Sequence, residues 1–125
     1  MVERRSPKPL TEVRILVGPQ LSHNDHMIGF YTKFTTTESK RDAFIEILLE
    51  AATAMKAIDD CLIYLVNKDA NTANITWVTE VWTNKEAHEA SLKMQGAKEL
   101  ISKALPLLTG RPEQIEIVPV GGKGF

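Results

Sequence analysis

The chain has 125 residues, of which 43% are hydrophobic and 25% charged, and these proportions are typical of one small globular domain. This length excludes a two-domain enzyme with a separate cofactor-binding half. Fifteen basic and sixteen acidic residues give a formal net charge of -1, so we expect neither nucleic acid nor anionic lipid as a partner. Because no apolar run reaches about 18 residues, we expect no membrane span.

The cysteine content and the start of the chain bear on location. The one cysteine, Cys61, cannot form an internal disulfide, which is typical of a protein from a reducing compartment. The first residues carry charges and prolines, but no apolar stretch of the signal-peptide type follows them. We therefore expect a cytoplasmic protein.

The sequence divides into an arm, a main domain and a tail. Residues 1–25 are predicted to form an N-terminal arm, and alternation over residues 11–17 indicates a short extra edge strand that could reach across a dimer. The main domain is expected at residues 26–120. The glycine-rich residues 121–125 are expected to form a loose tail.

Residue periodicity predicts the first strand and helix of the main domain. Residues 26–34 alternate, with Phe30 and Thr32 on one face of the strand. The three threonines at 35–37 offer N-cap hydroxyl groups for a helix. From Phe44 onward, apolar residues recur at helical spacing, so this helix should bury one stripe of side chains.

The second half of the domain is predicted to contain a hairpin, a helical region and a last strand. Residues 61–67 and 75–83 are rich in β-branched and aromatic residues and flank turn-forming sequence, which indicates an antiparallel hairpin. Residues 83–86, Thr-Asn-Lys-Glu, match a capping box and predict a helix that is broken or kinked at Gly96. Residues 114–120 alternate and predict the last strand.

The order of these elements predicts a sheet with one covered face. Two helices that each hide an apolar stripe should cover the same face of a four-stranded sheet. The strand that begins at Ile75 is apolar on both of its faces, with Trp77 on one and Trp82 on the other. In so short a chain, such a strand favours packing of the free sheet face on a second copy. We therefore expect a homodimer.

The segment from Val78 to Ser91, VTEVWTNKEAHEAS, resembles the antibiotic biosynthesis monooxygenase family of dimeric α/β barrels. Members typically carry Glu-x-Trp or Glu-x-Tyr at the end of the third strand, followed by a short turn, a Glu-Ala pair and a helix with a histidine. The resemblance covers about residues 26–120. It implies a ferredoxin-like α+β fold, an antiparallel βαββαβ sheet with helices on one face, and two sheets packed face to face in a dimer.

The resemblance also implies a range of functions. Members of the family include quinol and anthrone oxygenases that use no metal or organic cofactor. The fold also hosts haem-degrading oxygenases, an isomerase that processes autoinducer-2, and proteins that only bind ligands, so the fold does not decide the chemistry.

Glu80 and Trp82 are the first candidate site residues, because their spacing places both on the helix-facing side of one strand. Trp82 would form an aromatic wall of a pocket, and Glu80 a polar contact or a base. Alternatively, Trp82 is a core residue, and Glu80 caps a backbone group or pairs with a lysine. A buried, ionised and unpaired carboxylate costs several kcal/mol, so Glu80 needs a partner or a shifted pKa.

His88 is the second candidate base, because a neutral imidazole accepts protons near neutral pH. Its charged neighbours in sequence also fit a surface histidine. Many relatives carry a histidine three positions further on, where this chain has Ser91, which is therefore a candidate for substrate binding. Phe30 and Thr32 on the first strand are the remaining candidates for substrate contact, with Phe30 and Trp82 holding an aromatic ring.

Haem and metal chemistry find little support in the sequence. The haem-degrading branch needs an asparagine near Thr32, a tryptophan at Trp82, and a histidine where this chain has Leu92, which cannot ligate iron. His23 and His26 flank one aspartate, which is a weak metal-site pattern. We therefore expect no metal and no cofactor.

Three functions remain open at this point. The first is a cofactor-independent monooxygenase that oxidises a small aromatic or quinol-type substrate with O2, with Glu80 or His88 as the base. The second is an isomerase acting on a small polar metabolite, and the third a ligand-binding dimer without catalytic activity. The apolar first-strand face counts modestly against the second.

Overall fold

The computed structural model describes residues 27–125. The predicted arm at residues 1–25, its extra strand at residues 11–17, and both His23 and His26 lie outside the described residues. Within the described part, no helix combines the length and the hydropathy that a membrane crossing requires.

The described chain contains four strands, three α-helices and one short 3-10 turn. In chain order these are β1 (Ile28–Thr35), α1 (Arg41–Met55), β2 (Cys61–Lys68), β3 (Ile75–Trp82), α2 (Lys85–Leu92), α3 (Gln95–Ala104), the 3-10 turn (Leu105–Leu107) and β4 (Glu113–Ile117).

The strands form one antiparallel sheet in the order β2-β3-β1-β4, and the helices pack on one face of it. The core between the layers is formed by Phe44 and Leu48 of α1 and Val78 of β3. This arrangement is the predicted ferredoxin-like α+β fold, with strand, helix, strand, strand, helix, strand order. The predicted hairpin of β2 and β3 is also confirmed.

The sequence predicted that the threonine cluster before α1 caps this helix, but the structure shows no such cap. The helix begins at Arg41, and its N-cap residue, Lys40, makes no side-chain cap hydrogen bond. Thr36 is fully buried and forms an isolated antiparallel bridge with Leu108. Its backbone N–H and its hydroxyl both donate to the carbonyl oxygen of Asn74, at 2.9 and 3.2 Å. The β-branched cluster therefore extends the sheet rather than starting the helix.

The second helical region also differs in detail from its prediction. Asn84 is the N-cap of α2, because its side-chain oxygen accepts a hydrogen bond from the N–H of Ala87 at 2.7 Å. The hydroxyl of Thr83, the predicted cap, instead donates to a carboxylate oxygen of Asp60 at 2.6 Å. The break between helices lies before Gln95, so Gly96 is inside α3 rather than at the kink.

The face of the sheet that carries no helix is largely apolar. Its centre is a stack of Tyr31 and Trp77, whose ring centroids are 4.8 Å apart. The indole N–H of Trp77 donates to a carboxylate oxygen of Asp69 at 2.8 Å, which fixes the ring in the sheet surface. Around this stack, Leu65 and Ile115 are 54% and 57% exposed, which leaves aliphatic side chains of two strands in solvent.

Gly29 of β1 provides the first prediction, because a side chain there has no room. A Cβ atom at Gly29 would lie 2.7 Å from Cγ1 of Ile117 and 3.2 Å from the carbonyl oxygen of Glu80. We expect Gly29→Ala to lower the free energy of unfolding by about 1–3 kcal/mol, since the side chain of Ile117 must move out of its packed position to admit the methyl group. Urea unfolding followed by far-UV circular dichroism would measure this loss.

Gly96→Ala is the matched control for that experiment. A Cβ atom at Gly96 meets nothing within 4 Å, and the residue lies inside α3. Because alanine favours helices over glycine, this variant should be as stable as the unmodified protein or more stable by up to about 1 kcal/mol. Equal effects of the two substitutions would contradict the steric explanation.

Candidate active site

A cavity of about 550 Å³ lies between the helix layer and the sheet. Most of its wall is aliphatic or aromatic and comes from α1, α3 and the turn after α3. The apolar lining includes Phe34, Phe44, Ile47, Leu48, Ala51, Met55, Leu100 and Leu108. On the sheet and α2, the polar lining residues are Thr32, Tyr64, Glu80, His88, Ser91 and Gln114. The exposed, charged side chains of Glu50, Glu99 and Lys103 also line the cavity from α1 and α3. The cavity is thus mainly apolar, and its buried polar groups lie on the sheet and α2.

Strand β3 places the side chain of Glu80 on the sheet side of this cavity. Successive side chains of β3 alternate, so Glu80 and Trp82 both point toward the helices. The indole N–H of Trp82 donates to Oε1 of Glu80 at 3.0 Å. Burial raises the pKa of Glu80, and the hydrogen bond from Trp82 opposes this shift only in part.

His88 of α2 is buried and faces the same carboxyl group. Its Nε2 lies 3.7 Å from Oε1 of Glu80, and its ring stacks on Phe30 with centroids 4.1 Å apart. Trp82 meets the imidazole edge-on at 5.4 Å. Burial lowers the pKa of His88, although the negative charges of nearby glutamates act in the opposite direction. Burial therefore favours the uncharged form of both members of the pair.

Phe30 and Trp82 lie behind the pair rather than in the cavity wall. They are 2% and 0% exposed, and neither belongs to the lining. Their contacts instead orient the reactive groups: Phe30 supports the imidazole of His88, and Trp82 holds the carboxyl group of Glu80. Direct contact of either ring with a substrate remains a prediction.

Thr32 and Ser91 are buried and do line the cavity. The hydroxyl of Ser91 donates to the backbone carbonyl oxygen of His88 at 2.6 Å, one turn earlier in the same helix. The hydroxyl of Thr32 accepts a hydrogen bond from Nε2 of Gln114 at 3.0 Å, which links β1 to β4. Both hydroxyl groups thus already have protein partners, and their role in substrate binding remains a prediction.

Tyr64 is a polar lining residue that was not among the candidates predicted from the sequence. It lies directly opposite Glu80 in the register of β2 and β3, and both side chains face the helices. Burial and the negative charge of Glu80 together raise the pKa of Tyr64 well above its ordinary value of 10.0. Because residues 61–66 are all apolar, alternation along β2 gives no face for Tyr64, and only the register shows that it stands opposite Glu80.

Among the described residues, neither the thiol of Cys61 nor a cluster of metal ligands offers a further reactive group. Burial raises the pKa of the Cys61 thiol to about 11, so it is a poor nucleophile at neutral pH. Between residues 27 and 125, no three His, Cys, Asp or Glu side chains are grouped so that they could hold a metal ion.

The fold and this cavity define a class: a small ferredoxin-like α+β protein with a buried carboxyl–imidazole pair beneath its helices. The family model described as antibiotic biosynthesis monooxygenase matches residues 27–103. The chain belongs to this family. No curated protein matches it significantly.

Solved structures agree with this assignment. A candidate antibiotic biosynthesis monooxygenase from Chloroflexus aurantiacus is 40% identical over 78% of this chain and 97% of its own, with a TM-score of 0.71. A similar protein from Caulobacter crescentus is 21% identical over 77% of this chain and 92% of its own, with a TM-score of 0.72. A variant of SnoaB, a cofactor-independent oxygenase from Streptomyces nogalater, is 15% identical over 80% of this chain and 99% of its own, with a TM-score of 0.68. The last two likenesses show a shared fold.

The buried carboxyl group provides a prediction on stability and pH. Because the pKa of Glu80 is higher in the folded state than its ordinary value of 4.5, the folded state binds the proton more tightly than the unfolded chain. The contribution of Glu80 to stability is therefore present at low pH and is lost as the pH rises through the folded-state pKa. Glu80→Gln keeps an acceptor for Trp82 and carries no charge. The urea midpoint of this variant, relative to that of the unmodified protein, should rise between about pH 4 and about pH 8.

Glu46→Gln is the control, because Glu46 is exposed on α1 outside the cavity lining. Its relative midpoint should change much less over the same pH range. A relative midpoint of Glu80→Gln that stays constant or falls with pH would contradict the burial of an ionisable carboxyl group.

Proposed function

We propose that the protein is a cofactor-independent monooxygenase that oxidises a small aromatic or quinol-type substrate with O2. The observation that carries this proposal is the buried Glu80–His88 pair at the base of an apolar cavity. A pair of titratable groups with shifted pKa values in a cleft is typical of acid–base catalysis. SnoaB, described as a cofactor-independent oxygenase, has the same fold and supports the assignment.

The cavity favours an aromatic substrate over a small polar one. Its volume of about 550 Å³ lies in the range of sites for small organic ligands. Apart from the exposed Glu50, Glu99 and Lys103, the lining from α1, α3 and the following turn is apolar and offers contact area but few hydrogen bonds. A sugar-like metabolite would leave most of its hydroxyl groups unpaired there. For this reason we prefer the oxygenase to the isomerase.

Haem remains disfavoured as a substrate. The position where the haem-degrading branch requires a histidine is Leu92, which lines the cavity and is 47% exposed. Its side chain offers no ligand for iron.

The reaction requires a base and a dry pocket. One member of the Glu80–His88 pair removes a proton from the substrate hydroxyl or from the adjacent acidic carbon. The resulting anion donates an electron to O2, and the substrate radical combines with superoxide to form a peroxide. The pair returns its proton to the peroxide anion. Loss of water from the resulting hydroperoxide turns a CH2 group of the substrate into a carbonyl, so one oxygen atom enters the product and the other leaves as water. The apolar wall keeps bulk water from the intermediates.

The pair is suited to this proton transfer because its neighbours fix it in place. The indole of Trp82 orients the carboxyl group, and the ring of Phe30 supports the imidazole. Since burial favours the uncharged imidazole, His88 has a lone pair available at neutral pH. Holding the base in one geometry lowers the entropic cost of reaching the transition state.

We further propose that two copies pack through their helix-free sheet faces. The Tyr31–Trp77 stack and the exposed side chains of Leu65 and Ile115 form an apolar surface across all four strands. Apolar surface of this extent on a small domain is typical of an interface. The proposed function therefore belongs to a homodimer.

Removal of either member of the pair tests the catalytic proposal. Glu80→Gln keeps the shape and an acceptor for Trp82, and His88→Phe keeps a ring that stacks on Phe30. The variant that removes the base should lower kcat at least about 100-fold, because positioned acid–base catalysis contributes roughly that much. Oxygen uptake by metal-stripped protein with hydroquinones and anthrones, corrected for uptake without protein, measures the rate.

Glu46→Gln should retain the rate of the unmodified protein, since its side chain is exposed and outside the lining. Rates near that of the unmodified protein in both Glu80→Gln and His88→Phe would remove the pair as the base. Saturable uptake without added cofactor is required before the variants are compared.

Leu65→Lys tests the dimer, because a charge in the centre of the apolar sheet face would have to be desolvated on association. We expect this variant to elute as a monomer in size-exclusion chromatography with light scattering. Leu49→Lys on α1 is the matched control, since Leu49 is 51% exposed and Leu65 is 54% exposed. A monomeric unmodified protein, or equal effects of the two substitutions, would contradict the proposed interface.

A further inference from the structure

Tyr64 occupies the polar side of the cavity without any role in the proton transfer described above. In the antiparallel pair of β2 and β3, it stands directly opposite Glu80. Side chains in such opposite positions have Cβ atoms about 4.5–5.5 Å apart. The aromatic body of Tyr64 packs against the core of Phe44, Leu48 and Val78, so its position is fixed.

The hydroxyl group of Tyr64 differs from the other hydroxyl groups of the cavity in its hydrogen bonding. Ser91 donates to a backbone carbonyl, and Thr32 accepts from Gln114. By contrast, the Tyr64 hydroxyl forms no hydrogen bond with any residue within 27–125, as donor or as acceptor. A phenolic donor on a cavity wall with no protein acceptor is available to a ligand.

The state of this phenol at neutral pH is also defined. Burial and the negative charge of Glu80 raise the pKa of Tyr64, so the hydroxyl group keeps its proton while a neighbouring group takes one from the substrate. The polar groups of the cavity thus have two different proposed roles. One member of the Glu80–His88 pair accepts a proton, and Tyr64 donates a hydrogen bond.

We propose that Tyr64 determines substrate specificity by donating a hydrogen bond to a second oxygen atom of the substrate. The substrate class is then narrower than aromatic compounds in general: the molecule carries a carbonyl or similar acceptor oxygen in addition to the group that loses its proton. This inference rests on the proposed function, because it assigns a binding role in the same cavity.

The physical consequence is discrimination against aromatic compounds that have no acceptor oxygen. A ligand without one leaves the Tyr64 donor buried and unpaired, and a site built around such a donor rejects that ligand. The ring itself gains the same apolar contacts in either case. The acceptor oxygen therefore selects among rings of equal size.

Binding of two ring systems by the Tyr64→Phe variant tests this inference. The ligands are a monohydroxyanthraquinone, which carries carbonyl acceptors, and the corresponding monohydroxyanthracene, which carries none. We expect Tyr64→Phe to weaken binding of the hydroxyanthraquinone about five- to tenfold, the effect of one lost hydrogen bond. Binding of the hydroxyanthracene should change less than about twofold. Isothermal titration calorimetry under anaerobic conditions measures both affinities without turnover.

Tyr31→Phe is the matched control, because Tyr31 lies on the opposite face of the sheet and does not line the cavity. It should leave both affinities unchanged. An equal loss for both ligands in Tyr64→Phe, or no loss for the hydroxyanthraquinone, would overturn the role of Tyr64 while leaving the oxygenase proposal intact. Failure of the unmodified protein to bind either ring would contradict the aromatic substrate and both proposals with it.

Discussion

The buried carboxyl group of Glu80 is the constraint on which the functional side of the molecule depends. A carboxyl group beneath a helix layer costs several kcal/mol if it is ionised and unpaired. The structure meets part of this cost with an indole N–H from its own strand. The imidazole of His88, from the following helix, lies 3.7 Å from the same carboxylate oxygen and meets the indole of Trp82 edge-on. The candidate site thus consists of the contacts that accommodate one buried polar residue. Buried titratable groups with shifted pKa values are common at functional sites.

The sequence predicted the side of the sheet on which this site lies but not its full membership. Two-residue periodicity was sufficient to put Glu80 and Trp82 on the same face, and helical periodicity identified the buried stripe of α1. His88 was ambiguous because its sequence neighbours Lys85, Glu86 and Glu89 are charged. In a helix of eight residues, contact with the sheet decides which side chains turn inward, and periodicity carries little information.

The other differences between the predicted and the observed structure also arise from long-range contacts. The threonines before α1 suit both a helix cap and a strand, and the bridge from Thr36 to Leu108 decides in favour of the strand. Alternation alone does not assign Tyr64 to either side, because residues 61–66 are apolar on both faces of the strand. The significance of Tyr64 depends on the register that sets it opposite Glu80, and register is a property of two strands rather than one.

The placement of Phe30 and Trp82 behind the reactive pair explains how so apolar a cavity can support polar chemistry. Aromatic rings that contact the imidazole and the carboxyl group exclude water from the rear of the site, and a low local dielectric strengthens each remaining electrostatic interaction. The front of the pair then faces a cavity whose other polar side chains, Thr32 and Ser91, are already bonded within the protein. In the proposed reaction, a substrate meets one proton acceptor in the Glu80–His88 pair and a hydrogen-bond donor at Tyr64, and this asymmetry fixes the orientation of its ring.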